Sequence, residues 1–145
     1  MTHTAIARTL LMLLCALQGL GTLFIDLGRT HAKNPDWLRH ARYHVVWQAI
    51  STALLSLLQI ALLLIPGGHQ DELFYLSAAL ASIPMLGFFG AFATRKLFAS
   101  ALFDPNGIPP LRIVVSGAEK SIDLNLVAEV IAITVLFAIV ALFRT

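Results

Sequence analysis

Four long apolar runs, separated by three shorter polar stretches, set the pattern of this chain. They cover about residues 6–27, 35–65, 72–103 and 117–143. Each is long enough for a helix crossing a bilayer, which needs ~20 mostly apolar residues. In the first run, Cys15, Gln18, Thr22 and Asp26 recur at spacings of 3, 4 and 4. One helix face therefore carries all four, turned towards protein rather than lipid. Gly28 is the expected stop. The second run opens with Asn34 as N-cap, Pro35 in the first helical position and Asp36 at the positive helix end. It closes at Pro66-Gly67-Gly68. At 1.5 Å per residue it would measure roughly 46 Å, longer than a hydrocarbon core, with the excess at its start. The third run opens at Asp71, is kinked by Pro84, and offers Gly87 and Gly90 for close approach. Residues 104–116 form the longest loop, with a turn at Asp104-Pro105-Asn106-Gly107 and a short strand or lid at 111–115. Ser116 and Glu119 fit a capping box opening the fourth helix. The elements together predict an all-α membrane protein, one domain folded as a four-transmembrane-helix bundle.

Composition supports this and removes other classes. The chain of 145 residues is 58% hydrophobic and 12% charged, against roughly 25% charged in soluble domains. The pI of about 9.0 does not indicate nucleic-acid binding, because the bases are spread over two loops and no soluble basic domain carries them. Cys15, the single cysteine, has no internal partner and reads as a small buried hydrophobe. The first run continues to Leu27 without a small-x-small exit and so reads as a retained helix rather than a cleaved signal. Arg29, Lys33, Arg39, Arg42, Arg95, Lys96, Arg112 and Lys120 lie at one end of the bundle, against Arg8 and Arg144 at the other. Eight against two predicts cytoplasmic loops 1 and 3, external termini and, in a bacterium, the inner membrane.

The candidate chemistry gathers in the first polar stretch. Residues 26–48 hold three of the five histidines and both tryptophans. The topology brings Asp26, His31, His40, His44, Glu119 and Asp123 to one end of the bundle, with Glu129 up to two turns deeper. His40 and His44 are four apart on a helix, a spacing that lets two imidazoles reach one ion, and His31 is a third candidate ligand. Arg42 beside the pair would oppose a cation, and no His-Glu-x-x-His pattern is present. The competing reading has these histidines lining an interface or capping backbone. Without a metal, a histidine and a carboxylate in a dry pocket suit acid–base chemistry, with Glu129, His44, His40 and Asp26 as the candidate groups. Glu129 interrupts an apolar run, at a cost on the order of 2.5–3.5 kcal/mol if charged at a helix centre. It is either a functional group or a structural partner of Arg95 or Lys96. Asp26 either orients a histidine or pairs with Arg29 or Arg42. Trp37, Tyr43, Trp47, Gln48 and Asn125 are candidate ligand contacts, although the aromatic residues also fit an interfacial belt.

The run Thr30-His31-Ala32, Asn34-Pro35, Trp37 and His40-Ala41-Arg42-Tyr43-His44 resembles a motif of small, uncharacterised four-helix membrane proteins of bacteria and fungi. Their pattern after the first helix is T-H-A-x-N-P-x-W-x-x-H-A-[RK]-[FY]-H. Many of them carry prolines where this chain has Leu38-Arg39. The resemblance implies a fold and a hot spot, with no activity attached. Three functions are expected in turn: a pocket that binds or acts on a small lipophilic molecule, resembling sterol-isomerase-type bundles in architecture alone; an accessory subunit of a larger membrane complex; and a small proton-coupled transporter working as an oligomer, with Glu129 as carrier. No cofactor is expected, with a divalent metal as the alternative. The expected partners are the bilayer, a lipophilic ligand, and a second copy or partner subunit, with no nucleic acid.

Overall fold

The computed structural model describes residues 2–103 and 107–145. Four helices dominate it: α1 (His3–Asp26), α2 (Arg39–Leu64), α3 (Gln70–Thr94) and α4 (Leu124–Phe143). A two-stranded antiparallel hairpin, β1 (Leu111–Val115) and β2 (Ala118–Ile122), precedes α4. α1 packs on α2 and α4, and α3 packs on α2 and α4, closing a four-helix ring. Each helix is long and apolar enough to span a bilayer, and the chain has the architecture of a multi-pass membrane protein.

The inward stripes follow the helical period. On α1 the stripe is Ala7, Leu11, Cys15 and Gly19, all buried, continuing through half-buried Thr22 and Asp26. On α2 it is Ala49, Ser56, Gln59 and Leu63. On α4, half-buried Asn125, Glu129 and Ala132 lead to buried Leu136, Ile139 and Phe143. Spacings of three and four keep each set on one face. The core is uneven along the bundle axis. Its buried cluster joins α1 from Ala7 to Cys15, the end of α2, α3 from Phe74 to Met85 and the end of α4. Phe74 stacks on Phe143 there, with ring centroids 3.7 Å apart, and Arg8 ties that end together by donating to the carbonyls of Leu63 and Gln70. The end carrying loops 1 and 3 has no comparable cluster among the described residues.

Polar side chains fasten the middle of the bundle. Gln18 donates to Ala81 O at 3.3 Å, and Ser77 donates to Gln59 O at 3.3 Å. Ala81 lies three residues before Pro84, in the turn whose backbone pairing a proline disturbs. A neighbouring helix that donates into such a turn is a common remedy in membrane bundles. At Gly19 α1 and α2 approach closely: a Cβ there would meet Ser56 Cβ and Oγ at 2.8 Å. Gly21, Gly87 and Gly90, also small, have nothing within 4 Å of such a Cβ. The expected close approach at Gly87 and Gly90 is therefore absent among the described residues.

The element ends differ from the hydropathy pattern for identifiable reasons. α2 begins at Arg39 rather than at 35, because Asn34 does not cap it. Its Oδ1 instead accepts from Asp36 N at 3.1 Å, a local turn that competes with helix. Backbone bonds Ala32 N to Asp26 O and Lys33 N to Gly28 O continue these turns upstream. Gly28 suits them, since a Cβ would lie 2.8 Å from Ile25 O. α3 begins just before Asp71, whose carboxylate stands in the first turn rather than at the cap. It ends at Thr94 rather than near 103, where Arg95 donates to Phe92 O and stacks over the Phe92 ring, 4.0 Å from its centroid. The capping box at Ser116 is replaced by a hairpin turn. Ser116 and Gly117 have φ of 53° and 78°, the paired positive values of a tight two-residue turn. An N-cap needs extended backbone instead, so Ser116 cannot serve. Asp123 caps α4, accepting from Leu126 N at 2.9 Å. The turn expected at Asp104-Pro105-Asn106 lies outside the described residues.

Candidate functional site

The loop between α1 and α2 is a chain of turns held by its own side chains. Arg42, on the inner half of α2, donates through Nε to Trp37 O at 3.0 Å and through Nη2 to Pro35 O at 2.8 Å. Asn34 is buried at the centre of the loop. These contacts set Trp37 against His31, with rings edge to face and centroids 5.5 Å apart. On its other sides, His31 Nδ1 lies 2.9 Å from Thr30 Oγ1, and His31 Nε2 lies 4.0 Å from Asp26 Oδ1. Asp26 ends α1, so the carboxylate at the helix end meets the imidazole of the loop.

His31 borders a cavity of about 300 Å³ at this end of the bundle, the lower limit of the usual ligand-pocket range. Thr30, His31 and Asn125 supply its polar groups, and Trp37, Leu102, Phe103 and Ile108 its apolar walls. Loop 1, the segment after α3 and the first turn of α4 thus meet in one concave site. Asn125 points from the inward stripe of α4, with Glu129 one turn deeper on the same stripe and half-buried. Glu129 has no hydrogen bond or ion pair with any described residue, so the pairing expected with Arg95 or Lys96 is not formed there.

The other expected site residues separate from this pocket. His40 and His44 are exposed on the outer face of α2, with their Nε2 atoms 3.0 Å apart. Tyr43, Trp47 and Gln48 share that exposed surface, and the Trp47 ring lies 5.8 Å from that of His44. The reason is helical phase. Ala49, Ser56, Gln59 and Leu63 fix the inward face, and counting back by three and four reaches Arg42 and Val45 rather than the histidines. His31 is thus apart from the His40–His44 pair, and no group of three or more His, Cys, Asp or Glu suited to a metal occurs among the described residues. Glu119 is committed to Arg112, at 3.5 Å, and Asp123 to its cap. Asp26 pairs with His31 rather than with Arg29 or Arg42.

Sequence reasoning missed Thr30, Leu102, Phe103 and Ile108. Thr30 carried a signal as His31's neighbour within the motif, whereas Leu102 and Phe103 sit in an apolar stretch that read as the end of a helix and Ile108 in the loop that followed it. Compared with known protein families, curated proteins and solved structures, the chain matches none of them.

Proposed function

We propose that this chain is an inner-membrane protein whose pocket, at the cytoplasmic end, binds a small lipophilic molecule with a hydrogen-bonding head. The observation that carries the reading is the cavity lined by the polar groups of Thr30, His31 and Asn125 together with the apolar groups of Trp37, Leu102, Phe103 and Ile108. Few polar groups facing apolar walls fix the orientation of a mostly apolar guest. The carboxylate of Asp26, 4.0 Å from His31 Nε2, favours the proton on that nitrogen and leaves Nδ1, beside Thr30 Oγ1, to accept a hydrogen bond or a proton from the head. The basic bias towards loops 1 and 3 supports the cytoplasmic placement. The sequence resemblance supports the location, because Thr30, His31 and Trp37 belong to both the motif and the pocket.

Native mass spectrometry of protein released from its own membranes in mild detergent tests this. A bound small lipophilic species, one per chain, is expected on the wild type. His31→Ala and Asn125→Leu each remove a polar contact, lowering affinity roughly ten- to hundredfold, and should lose it. His44→Ala, on the outer face, should keep it. A bare wild-type particle, or retention by both pocket variants, overturns the reading; a particle found only with another chain would favour the accessory-subunit role.

A second reading rests on a different observation. The Nε2 atoms of His40 and His44 stand 3.0 Å apart, close to the separation that one ion imposes on two nitrogens each ~2.0–2.1 Å away. Arg42 does not oppose a cation there, since its guanidinium is turned back onto Pro35 and Trp37. α2 has 26 residues, about 39 Å, so its first turns overhang a ~30 Å core and reach water. We propose a two-nitrogen site for a divalent transition metal, completed by water. Zinc titration by calorimetry should show His40→Ala and His44→Ala each losing more than the ~10-fold in affinity that even an outer-shell change costs. His31→Ala should leave it unchanged. Equal affinity in all four proteins would remove the site.

A further inference from the structure

Among the described residues the β1–β2 hairpin is the one element outside the helical ring, and its two faces differ in kind. The register pairs Leu111 with Ile122, Ile113 with Lys120 and Val115 with Ala118. Directly opposed residues of an antiparallel pair share a face, so this face carries five apolar side chains and a single cation. The other pairs, Arg112 with Ser121 and Val114 with Glu119, form the second face. There the hairpin's only acid is neutralised by Arg112 at 3.5 Å. The ribbon makes no extensive contact with any helix, and Leu111 and Val115 remain exposed on its apolar face. A lone two-stranded ribbon is marginally stable in water. It needs a surface against that face.

Charge and position select the surface. The ribbon leads directly into the capped start of α4 and follows the Arg95-Lys96 end of α3, where spans meet the edge of the bilayer. Beside those two cations, Leu97 and Phe98 are also exposed. The apolar face holds Lys120 and no carboxylate, which suits a surface that is apolar below and negatively charged above. Hydrocarbon itself would not accept the ribbon, because both strand edges present unpaired backbone groups. The wet headgroup region satisfies those edges while the apolar side chains reach the acyl boundary. We propose that the β1–β2 hairpin lies flat on an anionic bilayer surface, with the face of Leu111, Ile113 and Val115 towards the lipid and Lys120 among the phosphates. Ile108, in the wall of the pocket, lies three residues before the start of β1 at Leu111, so lipid contact anchors that part of the cavity wall. The inference uses the membrane architecture and stands whether or not the pocket holds a guest.

Nitroxide labels report it face by face. Val115→Cys and Val114→Cys place adjacent labels on opposite faces, with buried Cys15 left in place and the labelled wild type as blank. The full chain is studied in lipid nanodiscs of mixed phosphatidylglycerol and phosphatidylcholine, using oxygen and an aqueous nickel chelate as relaxing agents. The label at 115 should be relaxed more by oxygen, and the label at 114 more by nickel. Phosphatidylcholine alone, or Lys120→Glu in the mixed lipid, should move the label at 115 towards the aqueous value. Lys120→Gln gives a milder change of the same sign if the charge reversal disturbs folding. Nickel dominance at both positions overturns the proposal. So does shielding of 115 from both agents, which would mean protein contact; spin–spin broadening would then identify a second copy.

Discussion

Phe74→Ala should destabilise the bundle by about 3 kcal/mol, the lower end of the ~3–5 kcal/mol range for buried Phe→Ala. Phe74 is fully buried and lies flat on Phe143, with Tyr75 edge-on to the same ring at 5.5 Å. These three rings hold α3 to α4 where the core is densest. The lower end of the range applies because lipid tails are as apolar as the protein interior, so the loss is of packing rather than of water exclusion. Equilibrium unfolding in mixed micelles, followed by circular dichroism, measures it. Phe98, at the opposite end, is 76% exposed, and Phe98→Ala should change stability by less than ~0.5 kcal/mol. Equal losses from the two changes would mean that stability is spread evenly along the bundle and that its dense end has no special weight.

Gly19→Ala should cost about 1–3 kcal/mol, although alanine is the better helix former by ~1 kcal/mol. The added Cβ would sit 2.8 Å from both Cβ and Oγ of Ser56, so α1 and α2 must separate or Ser56 must move. Ser56 is buried, so it has little room to turn away. The double variant Gly19→Ala/Ser56→Gly removes both contacted atoms and should recover most of the loss. Gly21→Ala, with nothing within 4 Å of its Cβ, should be neutral or mildly stabilising. The same unfolding assay reads all three, and a failure of Ser56→Gly to rescue would place the strain elsewhere. The outcome also bears on function, since α1 carries Asp26 and a tilt of that helix would move the carboxylate away from His31.

The spans were legible because their signal is additive: any window of about 20 apolar residues reports on itself. Their ends were not, because a terminus is a competition between close local alternatives. Asn34 offers its oxygen either to a helix or to the turn at Asp36, and the turn prevails with Arg42 clamping the same loop. Ser116 fits a capping box by spacing, yet Gly117 beside it permits a tight turn and Val114 and Val115 favour a strand. Glu119 then becomes a strand residue facing Arg112.

Sequence alone determined that four helices would form a membrane bundle, that Cys15, Gln18, Thr22 and Asp26 would share an inward face, and that the ends of the first and third spans and the starts of the second and fourth would lie at one end. Each conclusion needs only local hydropathy, helical spacing or the order of the spans. Tertiary structure alone decided which histidine faces the cavity. His31 lies in irregular turns, whose course no period predicts. His40 and His44 lie on a helix whose rotation is fixed by distant contacts, Ser56 against Gly19 and Gln59 against Ser77. Those contacts turn Ala49 inward and the two histidines outward, because one rigid helix can present only one face to its neighbours.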